Sequence, residues 1–184
     1  MNMIRCALFG LLRPDIESLR PVLYRIAYAW CHDAALADDL VQDTLSKAWV
    51  RRAQLREAAA LKSWTVAIMH HCWIDHLRTR RDFDNVDDWE DTLESAADTP
   101  EASCNREQVI ACVRDAVARL PMAQRQVLTL VDLEEFGYAE VARILDIPVG
   151  TVMSRLSRAR AGLKIILDRA MRQSAERPAL RRVK

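Results

Sequence analysis

Several features are scarce or missing in this 184-residue chain, and each absence removes a class of structure. Only 4 glycines and 6 prolines are present, β-branched runs are rare, and alanine, leucine and arginine dominate, which favours helices over strands. No stretch approaches the roughly 18 apolar residues of a membrane span. The opening MNMIRCALFGLL also lacks the apolar region and cleavage site of a signal peptide. We therefore expect an all-α, cytoplasmic protein.

The cysteines form no recognisable pattern. They are Cys6, Cys31, Cys72, Cys104 and Cys112. Their odd number and the lack of a C-x-x-C pair argue against a disulfide scaffold and favour a reducing compartment. Neighbouring residues on a helix diverge by roughly 100°, so the run His70-His71-Cys72 cannot turn all three side chains to one ion. We expect no metal site and no cofactor.

The net charge of +1 hides a strong asymmetry along the chain. Residues 82–105 carry nine acidic residues and no lysine or arginine, whereas residues 143–184 carry eleven basic residues against three acids. A basic end beside an acidic middle indicates nucleic-acid contact, with the acidic stretch as a spacer or a self-masking segment.

Helical spacing of apolar residues divides the chain into two blocks around the acidic stretch. We expect a first domain over 14–81, an acidic flexible linker over 82–105, a second domain over 106–170 and a basic tail over 171–184. The fold class is therefore all-α, with a three-helix-type bundle followed by a four-helix domain.

The first domain has three predicted helices. They cover residues 16–31, 34–53 and 64–80, with a loop or short irregular helix at 54–61. Ser63 is the expected N-cap of the third helix. The side chains expected to face the core from that helix are Trp64, Ala67, Ile68, Ile74 and Leu77.

The segment YAEVARILDIPVGTVMSRLSRAR, residues 138–160, is typical of a helix-turn-helix. Pro148 is tolerated only near a helix start, so the second helix of the pair begins near Val149. An apolar stripe along this helix lies beside a polar stripe that suits a DNA major groove. The polar candidates for DNA contact are Thr151, Ser154, Arg155, Arg158 and Arg160. The alternative is a helical hairpin whose polar face is only solvated.

The third helix of the first domain ends in a cluster of arginines preceded by imidazoles and aromatic rings. Such a surface suits single-stranded or melted DNA, through base stacking and phosphate attraction. The candidate residues are His70, His71, Arg78, Arg80 and Arg81. The alternative is structural, because cations at a helix C-terminus also suit the helix macrodipole.

Four segments together resemble the extracytoplasmic-function (ECF) sigma factors of the sigma-70 family, small bacterial transcription initiation subunits. The segments are ADDLVQDTLSKAW (37–49), SWTVAIMHHCWIDHLRTRR (63–81), LPMAQRQVLTLVDLEEFGYAEVARIL (120–145) and PVGTVMSRLSRARAGL (148–163). They follow one another in the family's order and cover both of its domains. The resemblance implies that 14–81 is sigma region 2 and that 106–170 is sigma region 4.

The resemblance also implies a function and partners. Such a factor binds core RNA polymerase, at the clamp of the largest subunit and at the flap, and directs it to stress- or signal-responsive promoters. The residues implied to bind the clamp are Asp38, Asp39, Leu40, Gln42, Asp43, Leu45 and Trp49. The loop at 54–61 and the third helix are implied to capture and melt the minus-ten element, and the helix-turn-helix to read the minus-thirty-five element.

The family further implies an inhibitor. Such factors are usually held inactive by an anti-sigma factor, often associated with the inner membrane, and the exposed apolar surface of residues 36–49 and 109–133 is the expected contact. Asp146 stands where the family often has glycine. Since Asp adopts unusual backbone angles comparatively well, we expect the turn to survive.

Two other classes of function remain as alternatives. An autonomous helix-turn-helix regulator usually binds a palindrome as a dimer, but the sequence has no dimerisation helix or heptad seam. This function would also leave the first domain without a role. An enzyme is not expected, because no phosphate loop or nucleophile motif accompanies the 4 histidines.

Overall fold

The computed structural model describes residues 16–83 and 106–176. Over these two ranges the chain is helical and contains no strand. The α-helices are α1 (Arg20–Cys31), α2 (Ala34–Arg51), α3 (Leu61–Phe83), α4 (Arg106–Ala118), α5 (Met122–Leu128), α6 (Tyr138–Leu145) and α7 (Val149–Glu176). The predicted acidic linker lies outside the described residues from position 84 onward, and so does the predicted basic tail from position 177 onward.

The turn between α1 and α2 follows from two residues. His32 ends α1 in the left-handed region, at φ 55°. Asp33 then has extended backbone angles, and its side chain accepts a hydrogen bond of 3.0 Å from the Leu36 N–H. An aspartate N-cap satisfies one of the free N–H groups at a helix start. The expected turn at His32-Asp33 is confirmed.

Asp33→Ala is expected to destabilise the protein by about 1 kcal/mol, because the Leu36 N–H loses its acceptor. Since both blocks share one core, the whole chain is the unfolding unit, and for a protein of that size this corresponds to a fall of about 2–4 °C in melting temperature. Thermal unfolding followed by circular dichroism measures it. Asp43→Ala is the matched control, since Asp43 is an exposed residue inside the same helix, where alanine is the better helix former. Equal destabilisation by both substitutions would contradict the capping role.

The connection between α2 and α3 differs from the prediction in its details. Short 3₁₀ turns cover Arg52–Gln54 and Ala58–Ala60, and α3 starts at Leu61 rather than at Trp64. The expectation that Ser63 caps α3 was wrong. Its hydroxyl donates a hydrogen bond of 3.2 Å to the Ala60 carbonyl, because the alanine-rich run already leads the backbone into the helix.

Helix α3 is buried on more than one side. It packs against α2 and also against α6 of the second block. Val66 and Met69 are fully buried, whereas the expected core residues Trp64 and Leu77 are only half-buried. A single apolar stripe therefore describes α3 poorly, since two neighbouring elements cover it from different directions.

The second block has the four helices that the sequence predicts. Pro121 precedes α5 as its N-cap residue. A π-helical turn over Thr129–Leu133 continues α5, and Gly137 caps α6, whose Glu140 carboxylate accepts a hydrogen bond of 3.2 Å from the Gly137 N–H. The two blocks then pack together, because α1 contacts both α4 and α5, and α3 contacts α6. Their buried apolar residues form one core cluster.

Candidate nucleic-acid interface

The helix-turn-helix is formed by α6 and α7. Asp146 takes the left-handed conformation at the end of α6, with φ 52°, as expected for an aspartate in a glycine position. The Pro148 carbonyl accepts hydrogen bonds from the N–H groups of Thr151 and Val152, at 2.9 and 3.1 Å. α7 begins at Val149, so the predicted start of the recognition helix is confirmed.

The first turns of α7 carry the two stripes that its sequence predicts. Val152, Leu156 and Ala159 are buried in the core. Ser154 and Arg158 are exposed on another side of the helix. The hydroxyl of Ser154 donates to the Thr151 carbonyl at 3.1 Å, and Nε of Arg158 donates to the Ser154 carbonyl at 3.2 Å. These bonds hold both side chains along the helix surface. Thr151 and Arg155 are half-buried at its edge.

Two apolar residues on the same helix were not among the predicted contacts. Val149 and Met153 are exposed, at 40% and 52%. They stand one helical turn apart beside the polar stripe. The sequence alone does not distinguish these two residues from core residues. The spacing of apolar residues along a helix does not show which of them are exposed to solvent.

Arg160 is engaged within the protein. Its guanidinium donates two hydrogen bonds to the Asp132 carboxylate, at 2.6 and 3.0 Å. The hydrogen bond to Asp132 raises the pKa of Arg160. In this structure Arg160 links α7 to the π-helical turn, and its assignment to a phosphate contact stays a prediction.

The histidines of α3 have different surroundings. The ring of His70 stands edge-on to Trp30, with 6.1 Å between centroids. The pKa of His70 is lowered to about 4, mainly by partial burial and also by the neighbouring His71, while Asp146 acts in the opposite direction. His70 is therefore neutral at pH 7 in this conformation and attracts no phosphate as a cation. His71 is exposed, with Nδ1 2.7 Å from the Ala67 carbonyl oxygen.

The arginines of α3 follow these rings toward the end of the helix. Arg78 is exposed and lies 3.9 Å from the Asp75 carboxylate. Arg80 and Arg81 also belong to α3, but their side chains lie outside the described ones. The structure thus places His70, His71 and Arg78 along one helix, with His70 against Trp30 of α1.

The predicted polymerase-binding residues divide into an exposed and a buried set. Asp38, Asp39, Gln42 and Asp43 are exposed on α2. Leu40 and Leu45 are buried in the core and support the helix from inside. Trp49 is 50% exposed, and the Arg52 guanidinium carbon lies 4.8 Å from its ring centroid. Asp39 and Asp43 line an open groove between α2 and α3.

A set of contacts between the two blocks was missed by the sequence reasoning. The residues are Arg25, Lys62, Arg125 and Glu134. Glu134 pairs with residues 109 and 72 positions away. No local pattern in a single sequence indicates pairs that are so distant.

Neither a metal-binding cluster nor a membrane-spanning helix is found among the residues that the structure describes. No cluster of three or more His, Cys, Asp or Glu side chains there has an arrangement that would hold a metal ion. Within the same residues, none of the helices combines the length and the apolar character of a membrane span.

The described residues form two all-helical blocks, and the second block contains a helix-turn-helix, a motif typical of DNA-binding proteins. Family models match both domains: Sigma-70 region 2 over residues 16–83 and Sigma-70, region 4 over residues 110–163. The chain belongs to the ECF RNA polymerase sigma factors of the sigma-70 family.

Similar curated proteins agree with these matches. The ECF RNA polymerase sigma factor EcfG of Rhodopseudomonas palustris is 33% identical over 158 residues, covering 85% of this chain and 84% of that protein. The ECF RNA polymerase sigma factor SigM of Mycobacterium tuberculosis is 32% identical, covering 79% of this chain and 71% of that protein.

Similar solved structures show the same fold. The sigma factor RpoE from Bartonella quintana, in complex with the anti-sigma factor NepR, has a TM-score of 0.67 and 29% identity, covering 84% of this chain and 94% of that one. CnrH, in complex with the cytosolic domain of CnrY, has a TM-score of 0.59 and 24% identity, covering 87% of each chain. The all-α, two-domain prediction is confirmed. As a member of this family, the chain is an alternative sigma factor that directs RNA polymerase to promoters.

Proposed function

We propose that the two domains divide promoter recognition between them, with α3 contacting the minus-ten element and α7 reading the minus-thirty-five element. The observation that carries the proposal is the pair of stripes on α7, where Val152 and Leu156 anchor the helix while Ser154 and Arg158 face outward. Base edges specify a sequence and phosphate contacts position the protein. Thr151 and Arg155 are proposed for base edges, and Arg158 for a phosphate.

The exposed face of α2 is proposed to bind core RNA polymerase. Asp38, Asp39, Gln42 and Asp43 give this face an acidic and polar character, which is complementary to a basic partner. Trp49 adds an aromatic side chain that is half exposed, and such residues often anchor protein interfaces. Leu40 and Leu45 are buried, and their proposed role is to anchor α2 so that its exposed face is presented to the polymerase.

An anti-sigma factor is the proposed inhibitor. The related sigma factor from Bartonella quintana was solved with an anti-sigma factor, and we propose a membrane-associated partner of this class for the present chain. Large apolar side chains are exposed in both segments where contact is expected. They are Trp49 in the first, and Ile110 and Leu133 in the second. Recovery of a membrane-linked inhibitor with the tagged chain from native cells tests this proposal, and a pull-down without one counts against it.

The chain is proposed to act without a catalytic reaction of its own, in the cytoplasm where RNA polymerase works. Run-off transcription with purified core RNA polymerase, on a template carrying the promoter of the chain's own operon, tests the function. A specific transcript that requires the chain is the expected result. No stimulation, combined with a tight operator complex of the free chain, would instead establish an autonomous helix-turn-helix regulator.

A further inference from the structure

One exposed face of α7 combines three small residues with one large apolar side chain. Gly150, Met153, Ser154 and Ser157 are all exposed, and their spacing places them on the same side of the helix. We call these four residues the Met153 face. Met153 is 52% exposed and is the one large side chain among the four. Val149 stands one turn before Met153, is 40% exposed and extends its apolar surface.

The Met153 face is open to an approaching molecule. A Cβ atom added at Gly150 would meet no atom within 4 Å, so packing inside the protein does not require a glycine there. Glycine within a helix is unfavourable relative to alanine, and it often stands where a ligand approaches the backbone closely. The two serines are also short. A partner can therefore come close to the helix along this face, where it would meet the Met153 side chain first.

The charges around the Met153 face indicate that the partner is a nucleic acid. Residues 149–167 contain four basic residues and no acidic one. Arg158 is exposed one turn after Ser154. A helix of this charge is complementary to the phosphate backbone, and its width fits a DNA major groove. Since α7 begins within the matched Sigma-70 region 4, the occupant that fits this face is double-stranded DNA.

The chemistry of methionine limits which base Met153 can recognise. Its thioether is only a weak acceptor and donates no hydrogen bond, and its flexible chain adapts to irregular apolar surfaces. Among the four bases, thymine alone presents a methyl group in the major groove. Contact with that methyl buries apolar surface on both sides. Against the amino group of cytosine or adenine, the same side chain would leave a donor without a partner.

We propose that Met153 is a specificity-determining residue that selects a thymine in the minus-thirty-five element through the C5-methyl group of the base. This inference rests on the proposed function of α7 and adds one base identity to it. The methyl group is the recognised feature, rather than the hydrogen-bonding pattern of the base. 5-Methylcytosine carries a methyl at the same place in the groove, so it should be accepted more readily than cytosine.

Selection from a promoter library with a randomised minus-thirty-five element locates the contacted position. The binding species is the holoenzyme formed by core RNA polymerase and the full chain. With the wild-type chain, we expect thymine to be enriched at one position or more, on either strand. Met153→Ala should abolish the enrichment at one of these positions and keep the selection at the others, because Thr151 and Arg155 remain in place.

Duplexes that differ by a single methyl group then test the contact itself. At the position found, thymine is compared with uracil, and cytosine with 5-methylcytosine, in otherwise identical promoters. The wild-type holoenzyme should bind the thymine duplex roughly threefold to fivefold more tightly than the uracil duplex, as expected for the burial of one methyl group. The 5-methylcytosine duplex should exceed the cytosine duplex by a similar factor.

Two substitutions of Met153 separate apolar contact from side-chain size. Met153→Leu remains apolar and should keep the preference for thymine over uracil. Met153→Gln has a similar length but a polar end, and it should bind the two duplexes equally. Ile165→Ala is the matched control, since Ile165 is an apolar residue further along α7 with 53% exposure. Its removal should leave both methyl ratios unchanged, and circular dichroism checks the helix content of every variant.

The outcomes distinguish this role from the proposed function. Equal binding of thymine and uracil duplexes by the wild-type holoenzyme would overturn the methyl contact. A thymine preference that Met153→Gln retains would assign the contact to another residue and overturn the role of Met153. In both cases, a selected minus-thirty-five sequence would leave the proposed function of α7 standing. If the holoenzyme selects no sequence in this element, the proposed function of α7 fails, and the role of Met153 fails with it.

Discussion

Arg155→Ala is expected to reduce transcription from the minus-thirty-five-dependent promoter by roughly tenfold to a hundredfold, while core polymerase binds the variant as before. The reason is the position of Arg155 at the edge of the outward face of α7, beside Thr151 and Ser154. A side chain that reads a base edge contributes about 1–3 kcal/mol of discrimination. Run-off transcription at saturating core polymerase measures the loss.

Arg158→Ala separates the two kinds of DNA contact. If Arg158 binds a phosphate, its removal weakens binding about equally for all promoter sequences and lowers the salt slope by about 1. Arg155→Ala should instead relax selectivity at one base position. Binding of the holoenzyme to matched and altered minus-thirty-five elements, over a range of salt concentrations, distinguishes these outcomes.

Arg119→Ala is the control for lost positive charge. Arg119 is exposed after the end of α4, outside the helix-turn-helix, and its removal should leave transcription nearly unchanged. Comparable losses from Arg119→Ala and Arg155→Ala would mean that overall charge matters and that α7 does not read the promoter.

Reversing the charge of the α2 face is expected to weaken the binding of core polymerase by at least roughly tenfold. The variant is Asp39→Lys combined with Asp43→Lys. Both carboxylates are exposed along the groove between α2 and α3, so the substitutions leave the core beneath them intact. Like charges placed against a basic partner repel it, and complementary charges govern the association rate. Fluorescence titration of core polymerase at several salt concentrations measures the effect.

A control with the same change in net charge is Glu57→Lys combined with Glu135→Lys. Both residues are exposed and lie off the acidic face of α2. If this pair weakens core binding as much as the α2 pair, the acidic face is not a specific site. Melting temperatures of the two double variants show whether folding is retained.

Local chemistry made the helix-turn-helix predictable. Pro148 fixes the start of α7, and Asp146 supplies the left-handed residue that the turn needs. The turn at His32-Asp33 was predictable for a similar reason, because Asp33 caps the helix that follows. In each case, the backbone preference of one residue and the spacing of nearby apolar residues indicate the same helix boundary.

The contacts between domains were not predictable in this way. The partners of Glu134 come from α1 and α3, and nothing near Glu134 in the sequence distinguishes it from its exposed neighbour Glu135. The burial of α3 was predicted only in part, because α6 covers a side of the helix that a three-helix bundle leaves open. The half-buried position of His70 has the same origin, since Trp30 reaches it from α1.

The guanidinium of Arg125 also bears on how exchangeable the two domains are. Trp30 lies in the last turn of α1, where carbonyl groups have no partner within the helix, and Arg125 supplies a donor to its carbonyl from the other domain. Consider a chimaera that joins the first domain of this chain to the second domain of a relative. The Trp30 carbonyl would then lose its hydrogen-bond donor, unless the relative has an arginine at the equivalent of position 125. The domains of this sigma factor are therefore matched halves rather than independent modules.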